Sequence, residues 1–164
     1  MLLILSSPNA HIKRDAIREG WLADLLRLAR FRAFKFKYAF VVGIDGSKQI
    51  DSFAVKQESE LLGDMLLLPL VDGYWNLSLK IAMMFQQTRV RHSQCKFIFK
   101  IDDDVYVRPR RLIAMVRRLP NFPLYGGYMY DQRKRRMAVV RNVSDKFSFT
   151  REEFPNVYFE PYAR

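Results

Sequence analysis

Short apolar runs alternate with amphipathic stretches along most of this chain, and few folds accept that order. Residues 2–5 are wholly apolar and close on Ser6-Ser7-Pro8-Asn9, after which Ile17, Trp21, Leu25 and Leu28 fall at helical intervals and predict a helix over 13–30. A second apolar run, 38–42, ends in Gly43-Ile44-Asp45-Gly46, and 52–62 reads as a helix. Residues 65–68 make a third short strand, Asp72-Gly73 a turn, and 75–91 a long helix with Leu77, Ile81 and Met84 on one face and Lys80 beside them. The fourth strand, 96–101, lacks polar alternation, as expected where helices cover both faces of a parallel sheet, and it runs into Asp102-Asp103-Asp104. Extended chain over 105–107, a helix opened by Pro109 and reaching 119, and a hairpin from 125–130 and 137–141 complete the pattern. Strands alternating with helices predict an α/β domain with a mostly parallel sheet.

At 164 residues and 49% hydrophobic, the chain can bury one core, so a single domain over 1–164 is expected. Twenty-eight Lys and Arg against 17 Asp and Glu give a net charge of +11, which attracts anions without choosing among them. The densest basic run, Arg133-Lys134-Arg135-Arg136, reads as a polar turn between two strands. With no basic helix carrying base-reading residues and no zinc-finger spacing, a nucleic-acid partner is not expected. Cys95, the only cysteine, excludes an intrachain disulfide framework. Residues 1–5 are too short for a signal core or a membrane span. His11 and His92 each stand apart from other ligand-type residues and read as solvated or hydrogen-bonded. Phosphate-loop, dinucleotide and nucleophile-elbow patterns are missing, so any phosphate would be held by a metal and basic side chains.

The three consecutive aspartates carry the chemistry. On an extended segment Asp102 and Asp104 project to one side and Asp103 to the other. Like charges about 4 Å apart repel by roughly 4 kcal/mol at an effective dielectric near 20, so a cation or a proton is needed between them. Carboxylate oxygens suit Mg²⁺ and Mn²⁺, which keep positions open for substrate phosphates. An acidic turn, or a carboxylate capping the next helix, is the plainer alternative.

Lys13-Arg14-Asp15-Ala16-Ile17-Arg18-Glu19-Gly20-Trp21 resembles the basic-basic-x-Ala-Ile-Arg-x-Thr-Trp opening of the β-1,3-galactosyltransferase family. Phe40-Val41-Val42-Gly43 is similar to that family's second strand, and Glu58 with Gly63-Asp64 to its Glu…Gly-Asp segment. Asp72-Gly73-Tyr74-Trp75-Asn76-Leu77-Ser78-Leu79-Lys80 resembles Asp-x-Tyr-x-Asn-Leu-Thr-Leu-Lys, and 95–107 the cysteine, strand and Asp-x-Asp block. Arg141, Lys146 and Glu152-Glu153-Phe154-Pro155 are similar to the family's next segment, so the likeness spans almost the whole chain.

The resemblance implies a GT-A, Rossmann-like nucleotide-diphospho-sugar fold, here incomplete at its C-terminus. It implies a hexosyltransferase that moves galactose or N-acetylglucosamine from a UDP-sugar to a hydroxyl of a glycan acceptor, on protein or lipid, in an inverting, Mn²⁺- or Mg²⁺-dependent β-1,3 transfer. Asp102 and Asp104 would hold the metal, with Asp102 and Asp103 also facing the donor. Arg14, Arg18 and Lys80 match motif positions where a basic side chain meets the diphosphate or braces the site; for Arg18 and Lys80 a salt bridge or a stem over the core is the alternative. Asp72 would bind the nucleotide or cap the helix after it. Gly20 replaces the family's threonine and weakens the helix. The family's catalytic base and a further histidine ligand are expected beyond residue 164. A catalytically inactive relative, acting as partner or chaperone of a complete transferase, is the alternative function. The resemblance also implies the lumenal side of the Golgi membrane, though the family's membrane anchor is absent from this chain, and there the sequons at Asn76 and Asn142 would matter.

Overall fold

The computed structural model of the chain describes residues 1–31, 34–44, 49–122, 124–126 and 152. Two compact units divide at 118, Met1–Arg118 and Leu119–Arg164. Apart from 125 and 126, the expected hairpin lies outside the described residues, as do the 133–136 basic run and Asn142.

In Met1–Arg118, four parallel strands form one sheet in the order β3-β2-β1-β4: β1 (Leu2–Leu5), β2 (Tyr38–Gly43), β3 (Met65–Leu68) and β4 (Phe99–Asp102). Leu5 pairs with Val41 on one side and with Asp102 on the other. The unbroken apolar sequences belong to the central strands: β1 is buried at every position and β2 at all but its first, whereas β3 and β4, at the edges, alternate.

The helices are α1 (His11–Ile17), α2 (Ala23–Phe31), α3 (Gln49–Leu62), α4 (Leu77–Arg91) and α5 (Pro109–Arg118). The chain steps outward from β1 to β2 to β3, then returns across β1 to β4, and right-handed crossovers therefore put α4 on the face opposite α1 and α2. The core splits accordingly. Leu2, Ile4 and Phe40 pack with Ile17, Trp21 and Leu25 and with Leu112 and Ile113 of α5, while Leu3, Leu5 and Val41 pack with Met84 of α4. Fully burying one such side chain stabilises by roughly 1.5–3 kcal/mol. This doubly wound α/β arrangement is the fold expected from the alternation of strands and helices.

Three local expectations need correction. The helix over 13–30 is broken: Arg18–Leu22 forms a π-turn around Gly20, whose ψ of −121° is not helical. Glycine's poor helix propensity locates the break, and the wider turn leaves both Trp21 and Leu22 buried. The long helix starts at Leu77 rather than Trp75, after a 3-10 turn, Tyr74–Asn76. β4 begins at Phe99 rather than at 96 and takes in Asp102. At the end of α3, Gly63 takes φ 64° and its N–H bonds to the Ser59 carbonyl at 2.9 Å, a left-handed cap that glycine accepts without a Cβ clash.

Candidate functional site

Strand order reverses between β1 and β4, and in open parallel sheets ligands bind at such a point beyond the carboxyl ends of the strands. Two segments meet there, the β1–α1 loop starting at Ser6 and the turn after Asp102. Extended geometry stops at Asp102: the Val105 N–H bonds to the Asp102 carbonyl at 3.3 Å, and 103–104 form a turn. Strand alternation therefore does not set the direction of Asp104. Asp103 bends inward, its Oδ2 accepting from the Ser6 hydroxyl at 2.9 Å and its Oδ1 from Lys13 Nζ at 3.2 Å. Asp102 is half exposed and pairs with Lys100 at 2.8 Å. Asp104 is exposed, and among the described residues its carboxylate has no partner.

No group of three or more His, Cys, Asp or Glu able to hold a metal occurs among the described residues. Two exposed carboxylates at this edge nevertheless fit a hard divalent ion, because Mg²⁺ commonly takes one or two carboxylates and fills its other positions with water and substrate phosphates.

Arg14 and Lys80 are held against Ser6 close behind this edge, whereas Arg18 reaches to Asp64 at the amino end of β3. Arg14 is completely buried and all five of its N–H donors are used. Two go to the Glu58 carboxylate at 2.8 and 2.5 Å, and the others to the Ser6 hydroxyl and the carbonyls of Ser7 and Pro8. Arg18 forks onto Asp64 with two bonds of 2.9 Å, reaches Glu58 and Asp15, and lies over the Phe40 ring. Burial opposes the charged form of Arg18, but its hydrogen bonds to Asp64, Glu58 and Asp15 outweigh that and raise its pKa above the ordinary arginine value. Lys80 is buried and donates to the Ser6 carbonyl and to Asp72 Oδ2, each at 2.7 Å.

Asp72 caps neither the 3-10 turn nor α4, which have no side-chain cap. It accepts the Gly43 N–H at 2.9 Å, tying the end of β2 to Lys80. A Cβ on Gly43 would lie 2.9 Å from the Leu70 carbonyl oxygen and 3.0 Å from the Asp72 Cβ. Gly43→Ala is therefore expected to push Asp72 away and cost about 1–3 kcal/mol, the range for overpacking, read as a lower urea midpoint. An unchanged midpoint would mean the two loops can separate freely.

Glu58 adds a pH dependence. Burial favours its neutral form, but hydrogen bonds from Arg14 and Arg18 outweigh this and lower its pKa below the ordinary 4.5. The folded state thus prefers the ionised form, so this stabilisation is complete above the unfolded carboxylate range and is lost as pH falls below about 4.5. Urea midpoints measured from pH 6 to pH 3 should fall more steeply for the native chain than for Glu58→Gln; parallel curves would contradict this.

Of the residues singled out from the sequence, Asp102, Asp103 and Asp104 stand at the switch point, Lys80 and Asp72 bind each other beside it, and Arg14 and Arg18 form an ion-pair cluster with Glu58 and Asp64. Sequence reasoning gave no role to Ser6, Lys13, Glu58 or Asp64. The available signal was charge pairing: Arg14 and Arg18, four apart in a segment of helical periodicity, need two acids opposite them.

The family model described as Galactosyltransferase matches residues 12–164. "Hydroxyproline O-galactosyltransferase GALT5" of Arabidopsis thaliana is 31% identical over 161 residues, covering 98% of this chain and 22% of its own length. "Beta-1,3-galactosyltransferase 1" of Mus musculus is 25% identical over 166 residues, covering 99% of this chain and 48% of its own. The chain thus spans about half or less of the length of these relatives. No helix among the described residues is long and apolar enough to cross a membrane. With the match extending over nearly its entire length, the chain belongs to the Galactosyltransferase family.

Proposed function

We propose that this chain supplies the donor-binding part of a hexosyltransferase that moves galactose, or N-acetylglucosamine, from a UDP-sugar to a hydroxyl of a glycan acceptor on protein or lipid, inverting to a β-1,3 linkage. The carrying observation is the pair of exposed carboxylates, Asp102 and Asp104, at the carboxyl-end switch point of a family member's sheet. Asp102 and Asp104 would hold Mn²⁺ or Mg²⁺, which as a Lewis acid would offset the charge that develops on the leaving diphosphate. Lys13, more than half exposed and in contact with Asp103, would meet a phosphate oxygen. Arg14 and Lys80 act from behind by fixing the β1–α1 loop, and Asp72 acts through Lys80. The names of the relatives support the class of reaction, and a Golgi lumenal setting is proposed from the family resemblance of the sequence motifs alone.

Calorimetric titration of UDP tests the reading. With Mn²⁺ present the chain should bind UDP, and EDTA or Asp104→Ala should weaken that binding at least tenfold, about 1.4 kcal/mol. UDP binding indifferent to both, or no binding by a folded chain, would remove the donor site.

A further inference from the structure

A second concentration of charge lies on the seam between α2 and α5, which pack side by side over the sheet. Two adjoining cavities there, about 420 and 170 Å³, share Leu28 and Arg110 and together form a groove. Leu28, Pro109 and Ile113 give it an apolar side. Arg27, Arg108, Arg110 and Arg111 line the larger cavity, and Arg117 the smaller. The acid among the lining residues is Asp24, whose carboxylate already holds Arg27 at 2.6 Å. Among the described residues the guanidinium groups of Arg108, Arg110 and Arg111 have no hydrogen-bond or ion-pair partner.

We infer that this groove binds a linear anionic polysaccharide. Guanidinium forks match carboxylate and sulfate groups with paired, charge-assisted bonds. Between its anionic groups a sugar chain presents apolar ring faces, which suit the half-buried Leu28 and the exposed ring of Tyr106. The concavity favours a single chain over a bilayer, since a flat surface would reach only the rim. Nucleic acid is less suited, because Tyr106 is the one aromatic side chain lining the larger cavity among the described residues, and single strands need successive stacking platforms. Arg108 follows Asp104 by four residues, at most about 14 Å of extended chain, so the groove opens close to the switch point. An acidic glycan held there would have one end beside the donor site. The choice of polysaccharide over other polyanions rests on the transferase reading.

The test is anisotropy titration of a labelled heparin octasaccharide with the full chain in about 0.15 M salt, where exposed charges are well screened. Arg110→Ser/Arg111→Ser should weaken binding at least tenfold. Its slope of log affinity against log salt should be shallower by about 1.4, two charges at about 0.7 each for a single-stranded polyanion. Lys56→Ser/Arg89→Ser removes the same charge from exposed positions on α3 and α4 and should change binding less than threefold. Equal losses in the two variants would overturn the groove as the site. Single-stranded DNA of matched charge, or phosphatidylserine vesicles, binding more tightly with the same dependence on Arg110 and Arg111 would overturn the polysaccharide. UDP titration of the groove variant should match the native chain. Failure of UDP binding in the native chain sinks the donor reading alone and leaves the groove's own result standing.

Discussion

Replacing Arg14 with alanine is expected to cost about 3–5 kcal/mol, the range for removing one partner of a buried ion pair. The side chain is completely buried, so solvent does not screen its bonds to Glu58. Its loss leaves the Glu58 carboxylate, whose own side chain is only 16% exposed, with Arg18 as its remaining cation, and leaves the Ser7 and Pro8 carbonyls without the donors they have now. Against a typical domain stability of about 5–15 kcal/mol, this is a large fraction. Urea unfolding at pH 7 reads it directly. Arg14→Lys should recover only part, because one ammonium cannot supply five donors in a planar fork. A loss under about 1 kcal/mol would show that water can replace the guanidinium, contrary to its burial.

Lys80→Met should rank second, at about 2–4 kcal/mol. The substitution keeps most of the apolar stem and removes the ammonium, leaving the Ser6 carbonyl and the Asp72 carboxylate short of a donor. Asp72 keeps the Gly43 N–H, which limits the damage. The double variant with Asp72→Asn should be less destabilised than the sum of the two single changes, by about 0.5–3 kcal/mol, because the stranded charge is gone. Strict additivity would mean that the contact contributes nothing to the folded state.

The sheet was legible in the sequence because β1 and β2 are covered on both faces and so read as unbroken apolar runs, with Met65–Leu68 located to the residue. β4 was read three residues early at its start, since half of its positions are exposed and its apolar signal is diluted by Lys96 and Lys100. That shift also moved the aspartates: with Asp102 inside the strand, the next two residues turn, and Asp103 reaches Ser6. The break at Gly20 had a visible cause, but whether a glycine bends a helix or merely weakens it depends on what packs around it. The role of Asp72 could not be read at all. It depends on Gly43 and Lys80, 29 residues before it and eight after it, meeting one carboxylate oxygen, and the Gly43 contact exists only once β2 and β3 have paired. Arg14 and Glu58 were both visible as motif residues, yet their partnership spans 44 positions.

Ser6 is gripped from both layers of the molecule. Arg14 of α1 holds its hydroxyl from one face of the sheet, and Lys80 of α4 holds its carbonyl from the other. Phosphate-cradling segments in many proteins are loose until a ligand arrives, and the ordering is charged against affinity. Here that entropy is lost during folding, so a donor bound at the proposed site would meet a loop already in shape. Association should therefore be a docking event with little rearrangement of 6–8, and the amides of Ser6 and Ser7 should exchange with solvent at the same rate in the free protein as in the bound one.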